Sequence, residues 1–328
     1  MHRGLNNAAF VRDTEPFRRE LLAHCYRMLG SVQDAEDLVQ ETYLRAWRSY
    51  GGFEGRSSVR TWLYRIATNA CLTALRHHSR RMLPSGLGGA EPDPYATPHT
   101  AEIDWLQPIP DALVMPDTAD PATILAAREG LRLALIASLQ YLPGPQRAVL
   151  ILRDVLAFPA AQVAAMLGTS TPAIKSTLQR ARARLRESPP TPDLLAEPAE
   201  PAARALLDRY MAAFQNADAA ALERLLCDES TLEATPFRTW LAGRTTCVPF
   251  LRTHVLGTAG DWLMLPTSAN GQPAAVCYLR DGTGAHQAYG VVVLTVTAMG
   301  IAGIVSFGDP GLVPAFGFPT VITAAAPV

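Results

Sequence analysis

A change of hydrophobic period part-way along this 328-residue chain limits its fold more than any other feature. Up to the Pro-rich stretch SPPTPDLLAEPAEP (188–201), apolar side chains recur every three to four residues, the spacing of helices that bury one face. Two more helical stretches follow at 202–215 and 218–227. From about residue 231 the pattern becomes strand-like: LEATPF, WLMLPTSA, PAAVCYLRD, AYGVVVLTVTA, GIAGIVSFGD. These runs are rich in Val, Ile, Thr and Tyr and are bounded by Gly, Pro and Asn. Helices first and strands afterwards argue for a multidomain protein, with an all-α part followed by a separate α+β domain built on an antiparallel sheet.

The all-α part divides by charge. Residues 1–81 carry 13 basic and 8 acidic side chains, residues 82–130 carry 1 and 8, and residues 131–188 carry 8 and 2. Two basic modules thus flank an acidic strip of net −7, and residues 189–328 are acidic again at net −5. Two basic blocks suit two contacts with nucleic acid, although solvated charge gives the same count. The five cysteines (25, 71, 227, 247, 277) form no CxxC pair, which argues against a disulfide framework or zinc knuckle. With no long apolar run and no apolar leader at the start, the expectation is a soluble cytoplasmic protein without membrane contact.

Helices are expected at 13–30, 32–50, about 58–81 and 123–141, then over 142–156, 158–170 and 171–187. Ser31 is placed to cap the second helix, whose apolar positions are Ala35, Leu38, Val39, Thr42 and Ala46. Residues 84–123, proline-rich and acidic, read as a linker. At roughly 40 residues it is long for a structureless connection.

Three motifs carry chemistry. AAQVAAMLG followed by TSTPAIKSTLQRARARLR is a helix, a Gly turn and a second helix, with Thr171 as its cap and Pro172 in its first turn. Ile174, Leu178, Ala181 and Leu185 make the buried stripe, leaving Thr171, Lys175, Ser176, Gln179, Arg180 and Arg182 for DNA. Lys175 is the only lysine in the chain. In a helix-turn-helix the second helix enters the major groove, where Lys and Arg read guanine and Gln reads adenine. An ordinary helical hairpin with a basic face is the competing reading. DAEDLVQETYLRAW (34–47) sets Asp34, Asp37, Gln40, Glu41 and Arg45 outside its apolar stripe, a pattern that a solvated face also explains. FEGRSSVRTWLYRIATN (53–69) interleaves aromatics with Arg60, Arg65 and, further on, Arg76, as a single-strand-binding surface does. Trp62 reads here as a core residue and Phe53, in a Gly-flanked loop, as the ring that meets a base.

Taken in order, DAEDLVQETYLRAWRSY, F-x-G-x-S-x-x-x-TWLYRIATNACL, LPGPQRAVLILRDVL and the terminal helix-turn-helix resemble a bacterial sigma factor of the sigma-70 superfamily. The two-domain form resembles the extracytoplasmic-function (group 4) class, and WLQPIPD (105–111), NGQPAAVCYLR (270–280) and FGFP (316–319) resemble its actinobacterial SigG-like subgroup, which carries a C-terminal SnoaL-like domain. The resemblance implies sigma domain two at 10–82, a linker at 83–125, sigma domain four at 126–187, a spacer at 188–201, a cone-shaped SnoaL-like domain at 202–320 and a tail at 321–328.

It further implies a role for each motif. Asp34, Asp37, Gln40, Glu41 and Arg45 would dock on core RNA polymerase, at the β′ coiled coil, with the β subunit also a partner. Phe53, Arg60, Arg65, Asn69 and Arg76 would recognise and open the −10 element of promoter DNA, Asn69 and Phe53 holding a flipped-out base. The helix-turn-helix would read the −35 element. The acidic linker would lie in the channel later used by RNA. Trp105 and Asp281 would join linker to tail, and the tail would tune activity in cis. Asp261, His254, Asp281, His286 and Tyr289 are candidate polar residues for a pocket in the tail domain that takes a small molecule. No cofactor, metal site or catalytic residue is expected. A ligand-binding or enzymatic SnoaL-like protein with a DNA-binding helical half is the alternative, and a plain dimeric repressor is a third.

Overall fold

The computed structural model describes residues 2–77, 79–118, 120–187 and 200–323. Residues 188–199 of the expected spacer (188–201) and the last five residues, 324–328, lie outside them. The chain divides into two compact units, Met1–Arg81 with Ala112–Pro190, and Met82–Asp111 with Thr191–Val328.

The first unit is helical. Helix α1 (His2–Thr14) leads through a 3-10 turn to α2 (Arg18–Leu29), α3 (Val32–Ser49) and α4 (Val59–Ala74). Gly30, at φ 71°, ends α2 in the left-handed conformation that glycine adopts without strain. Ser31 Oγ accepts from the Asp34 amide at 3.1 Å and starts α3, as its sequence position predicts. Ser58 does the same for α4 through the Thr61 amide. Helix α4 stops at Ala74, seven residues before the expected end. Leu21, Cys25, Met28, Ala35, Val39, Ala46, Leu63, Tyr64 and Ala67 are buried among these helices.

The rest of the unit begins near α5 (Asp111–Val114) and continues with α6 (Pro121–Glu129), α7 (Leu133–Gln140) and α8 (Gly144–Leu150). The single helix expected at 123–141 is two, broken at Gly130, where a Cβ would stand 3.1 Å from Arg27 and 3.3 Å from the Ala126 carbonyl. A π-helical turn over Ile151–Val155 follows α8, then α9 (Ala160–Leu167), Gly168 at φ 62°, and α10 (Thr171–Glu187). Ile174, Leu178 and Ala181 are buried and Leu185 is half-buried, the expected stripe. The cap of α10 is Ser170 rather than Thr171, its Oγ accepting from the Ala173 amide at 3.3 Å.

The second unit packs α11 (Glu200–Gln215), α12 (Ala219–Leu225) and α13 (Arg244–His254) against a sheet of seven strands among the described residues. These are β1 (Leu226–Thr235), β2 (Trp240–Ala242), β3 (Trp262–Ala269), β4 (Gln272–Arg280), β5 (His286–Thr297), β6 (Gly300–Phe307) and β7 (Val321–Ile322). The order is β2-β1-β6-β5-β4-β3, with β7 on β5. The pairs β1–β2, β3–β4, β4–β5, β5–β6 and β5–β7 are antiparallel, but β1 and β6 pair parallel, so the sheet is mixed and not purely antiparallel as expected. The intervening hairpins return β6 beside β1 in the same direction. The inner face is one apolar core: Leu207, Tyr210, Phe214, Leu232, Cys247, Phe250, Trp262, Cys277, Val292, Leu294 and Ile304. Helix α13 went unread because Pro249 sits in its middle, where a missing N–H argues against a helix. No described helix is long and apolar enough to cross a membrane.

Candidate nucleic-acid interface and linker cradle

On α3, five carboxylate, amide and guanidinium groups are sorted by what they touch. Asp34 is taken by Arg81 at 2.7 Å, and Glu41 by Arg45 at 2.6 Å. Asp37 and Gln40 are exposed. The sequence pattern gave no reason to add two apolar neighbours on this helix: Leu44 is 51% exposed and Trp47 37%, its ring edge-on to Phe10 at 5.3 Å. Polar groups around an exposed leucine are what a helix-docking surface needs.

Between α3 and α4 lies a groove of about 370 Å³ lined by Arg45, Ser49, Trp62, Arg65, Ile66 and Asn69. It joins an indole face, an amide and two guanidiniums, groups that stack on a base, read its edge and hold its phosphates. Trp62, expected in the core, is half-exposed here, and its neighbour Tyr64 is the aromatic that is fully buried. Phe53 stacks on Trp62 at 4.8 Å. Arg65, Asn69 and Arg76 are exposed. Arg60 is not directed to solvent. It grips Glu20 through Nε at 3.0 Å and Nη2 at 2.9 Å and lies over the rings of Tyr64 and Phe158, at 5.0 and 4.7 Å. Burial costs this guanidinium, but Glu20 overcomes that cost and its pKa lies above the usual arginine value.

Behind α4, His24 is completely buried, with Nε2 2.9 Å from Thr68 Oγ1. Burial pushes its pKa down to about 3, with Arg27 adding to the shift.

On α10, Lys175, Ser176, Gln179 and Arg180 are exposed, and Thr171 half-buried. Arg180 Nη2 donates to Thr177 Oγ1 at 3.2 Å. Arg182 differs: Nε and Nη2 grip Asp154 at 2.8 and 2.7 Å, fastening α10 to the π-helical turn. This pair raises the Arg182 pKa, hydrogen bonding first and charge second.

The linker proves to be ordered chain over much of its length. Residues 82–111 belong to the second unit and run along it by a series of hydrogen bonds. The Ser85 amide donates to Glu233 Oε2 at 2.8 Å, and Trp240 Nε1 to the Gly88 carbonyl at 2.9 Å. The Glu91 amide donates to the Trp240 carbonyl, the Ala101 amide to that of Pro236, and the Arg238 amide to that of His99. At the far end the Ile109 amide donates to Asn270 Oδ1 at 3.0 Å, the Asn270 amide returns a bond to the Ile109 carbonyl, and the Gly271 amide donates to Asp111 Oδ1 at 2.7 Å. Leu106 and Ile109 are fully buried. Glu233, 9% exposed, has its pKa raised because burial outweighs the bonds from Ser85.

Trp105 bridges to Met82 within this strip. The bonds of Asp281 stay in its own turn, with Thr283, Ala285 and Gln287, and hold its pKa down to about 2. Asn270, Gly271, Glu233 and Trp240 hold the strip by the bonds above; they pair with distant residues and so leave no local signal.

The five candidate pocket residues do not converge. Asp261 is bound by Thr258 and Arg280, which lower its pKa to about 2. His286 faces the Gly260 carbonyl at 3.2 Å, and the exposed His254 lies against Phe250. Tyr289 alone packs on the apolar core, edge-on to Trp262 at 5.0 Å. No group of three metal-ligating side chains occurs among the described residues.

Comparison with known proteins agrees with the geometry. Residues 14–81 match Sigma-70 region 2, and residues 132–185 match Sigma-70, region 4. The chain is 49% identical over 313 residues to the ECF RNA polymerase sigma factor SigG of Mycobacterium tuberculosis, covering 94% of this chain and 84% of that protein. It is 31% identical over 222 residues to SigJ of the same organism, covering 67% of this chain and 63% of that one. The crystal structure of Mycobacterium tuberculosis SigJ superposes with a TM-score of 0.58 at 23% identity, over 93% of this chain and 98% of that one, and so shares the fold of both units. Helices in this order, a basic recognition helix and a relative alike over nearly the whole length lead to one conclusion: the chain belongs to the extracytoplasmic-function sigma factors, which bind core RNA polymerase and direct promoter-specific initiation.

Proposed function

We propose that three surfaces divide the work of initiation and that the second unit governs it in cis. The exposed face of α3, with Asp37, Gln40, Glu41 and Leu44, meets the coiled coil of the β′ subunit. The groove of Trp62, Arg65 and Asn69, with Phe53 beside it, takes the −10 strand. Lys175, Ser176, Gln179 and Arg180 read the −35 element from the major groove. Arg60 and Arg182, both engaged by carboxylates, shape these surfaces from within. The protein works in the cytoplasm, where the polymerase is, and carries no catalysis of its own. Family membership supports that reading, as does the engagement of Asp261 by Thr258 and Arg280 and of Asp281 by Thr283 and Gln287.

The observation that carries the role of the second unit is the run of bonds to residues 82–111. A strip held there is withheld from the polymerase channel, and the tail restrains initiation until the strip is released. Asn270 stands at φ 57°, a conformation glycine adopts freely, so Asn270→Gly keeps the turn and its main-chain bond to the Ile109 carbonyl but deletes the side-chain acceptor of the Ile109 amide. With core polymerase reconstituted on a promoter, this variant is expected to form more open complexes than the wild-type chain. Equal yields from both would overturn the role of the cradle.

A further inference from the structure

Helix α1 lies almost wholly before the residues matched to Sigma-70 region 2, and none of the surfaces assigned above includes it. Its last turns are nevertheless built into an array of rings. Phe10, 6% exposed, sits edge-on to Tyr43 at 6.2 Å, Trp47 at 5.3 Å and Tyr50 at 5.2 Å. The Tyr50 hydroxyl donates to Asp13 Oδ2 at 2.7 Å, and the Tyr43 hydroxyl to the Thr14 carbonyl at 2.9 Å. Hydrogen bonds from Tyr50 first and Arg12 second hold the Asp13 pKa below the usual carboxylate value. Tyr50 in turn meets Trp62 at 6.4 Å, and Trp62 meets Phe53 at 4.8 Å. The array thus runs, ring by ring, from α1 to the groove between α3 and α4.

The segment that carries Phe53 has little else to hold it. Tyr50–Gly52 form a single 3-10 turn, and residues 53–58 have no regular structure. A Cβ added at Gly51, Gly52 or Gly55 would meet nothing within 4 Å, so these positions lean on no neighbour. The Phe53 amide donates to the Tyr50 carbonyl at 3.0 Å, and Glu54 pairs with Arg56 inside the segment itself. Glycine-rich chain has many conformations to lose, and packing must select one of them. Ring pairs do this well. The positive edge of one ring seeks the negative face of the next, which sets angle as well as distance. Tyr50 is held twice by α1, by Phe10 at its ring and by Asp13 at its hydroxyl, and Trp62 and Phe53 take their places from it.

We infer that Phe10 and Asp13 of α1 are positioning residues for the −10 strand: they fix Tyr50, which fixes Trp62 and Phe53 at the groove. This rests on the assignment of that groove to the −10 strand. The first arm of the test needs no DNA. In hydroxyl-radical footprinting of the whole free chain, labelling of Phe53 and Trp62, both half-exposed, should rise several-fold in F10A, while buried Tyr64 labels as in the wild-type chain. D13A removes only a hydrogen-bond acceptor from a half-buried site, so it tests the same point with the ring packing intact, and should give a smaller rise. The second arm uses the chain assembled with core polymerase and a single-stranded −10 oligonucleotide, read by fluorescence anisotropy. F10A should bind the oligonucleotide about tenfold more weakly, and should cause no further loss in a W62A background. Higher labelling without weaker binding keeps the brace and overturns the groove assignment. Unchanged labelling of Phe53 and Trp62 in both variants overturns the brace. So does an equal loss from F10A with and without Trp62, since α1 would then act by another route.

Discussion

The two units use charge in opposite ways. In the helical unit, Asp37, Gln40, Arg65, Lys175, Gln179 and Arg180 stand exposed on regular helices, offered to something outside the chain. In the second unit, Asp218, Asp261, Asp281 and Asp309 each bond the backbone two to four residues away or less, and Asp261 adds Arg280. Those carboxylates build loops. A helix satisfies its own backbone and leaves side chains free to recognise, whereas a sheet with many turns spends its polar side chains on the turns. The difference teaches that recognition belongs to the first unit and holding to the second.

The contrast can be broken in several places. The largest effect is expected at Asn69: N69A should reduce open-complex formation on duplex promoters by about 100-fold, the cost of losing a partner for an extruded base, and much less on a pre-melted template. Equal losses on both templates would move Asn69 out of strand opening. Next, Arg180→Ala should cost about 1–3 kcal/mol at one −35 position if it reads a base edge; gel-shift titrations against single-base variants distinguish this from a uniform loss at every sequence.

His24 sharpens the comparison from inside. Its folded pKa of about 3 lies below the ordinary 6.5, so stability is fully present above pH 6.5 and falls as acid protonates the unfolded chain first. Between pH 6.5 and 5 the helical unit should lose about 2 kcal/mol, measurable by urea titration, and His24→Gln should flatten that slope. Glu233 has the opposite sign. Its folded pKa is raised above 4.5, so the second unit loses stability as pH rises from 4.5 through that folded value, and Glu233→Gln should abolish the dependence. The smallest effect is at Arg182, whose partly exposed, solvent-screened pair with Asp154 predicts only a slight lowering of the melting temperature in R182A. A large loss of −35 affinity in that variant would return Arg182 to the DNA-reading set.

Local signals were legible in the chain, and long-range ones were not. The Ser31 cap, the Ile174–Leu178–Ala181 stripe and the Gly168 turn follow from spacing alone. So does the passage from helices to strands. Arg60 and Arg182 looked like DNA contacts because their carboxylates, Glu20 and Asp154, lie 40 and 28 residues away. Trp62 and Tyr64 are two positions apart, and which of them faces inward depends on where α2 packs. The cradle was hidden for a deeper reason: main-chain groups of residues 85–109 make most of its bonds, and every residue type carries those groups.

That last property has a consequence for how such a strip can diverge. A partner that grips peptide groups is indifferent to most side chains, and Asp93 and Glu102 remain exposed along the held segment. Substitutions there can retune what the strip presents to a second surface while its hold on the first persists. One ribbon can therefore serve two masters, provided they read different atoms.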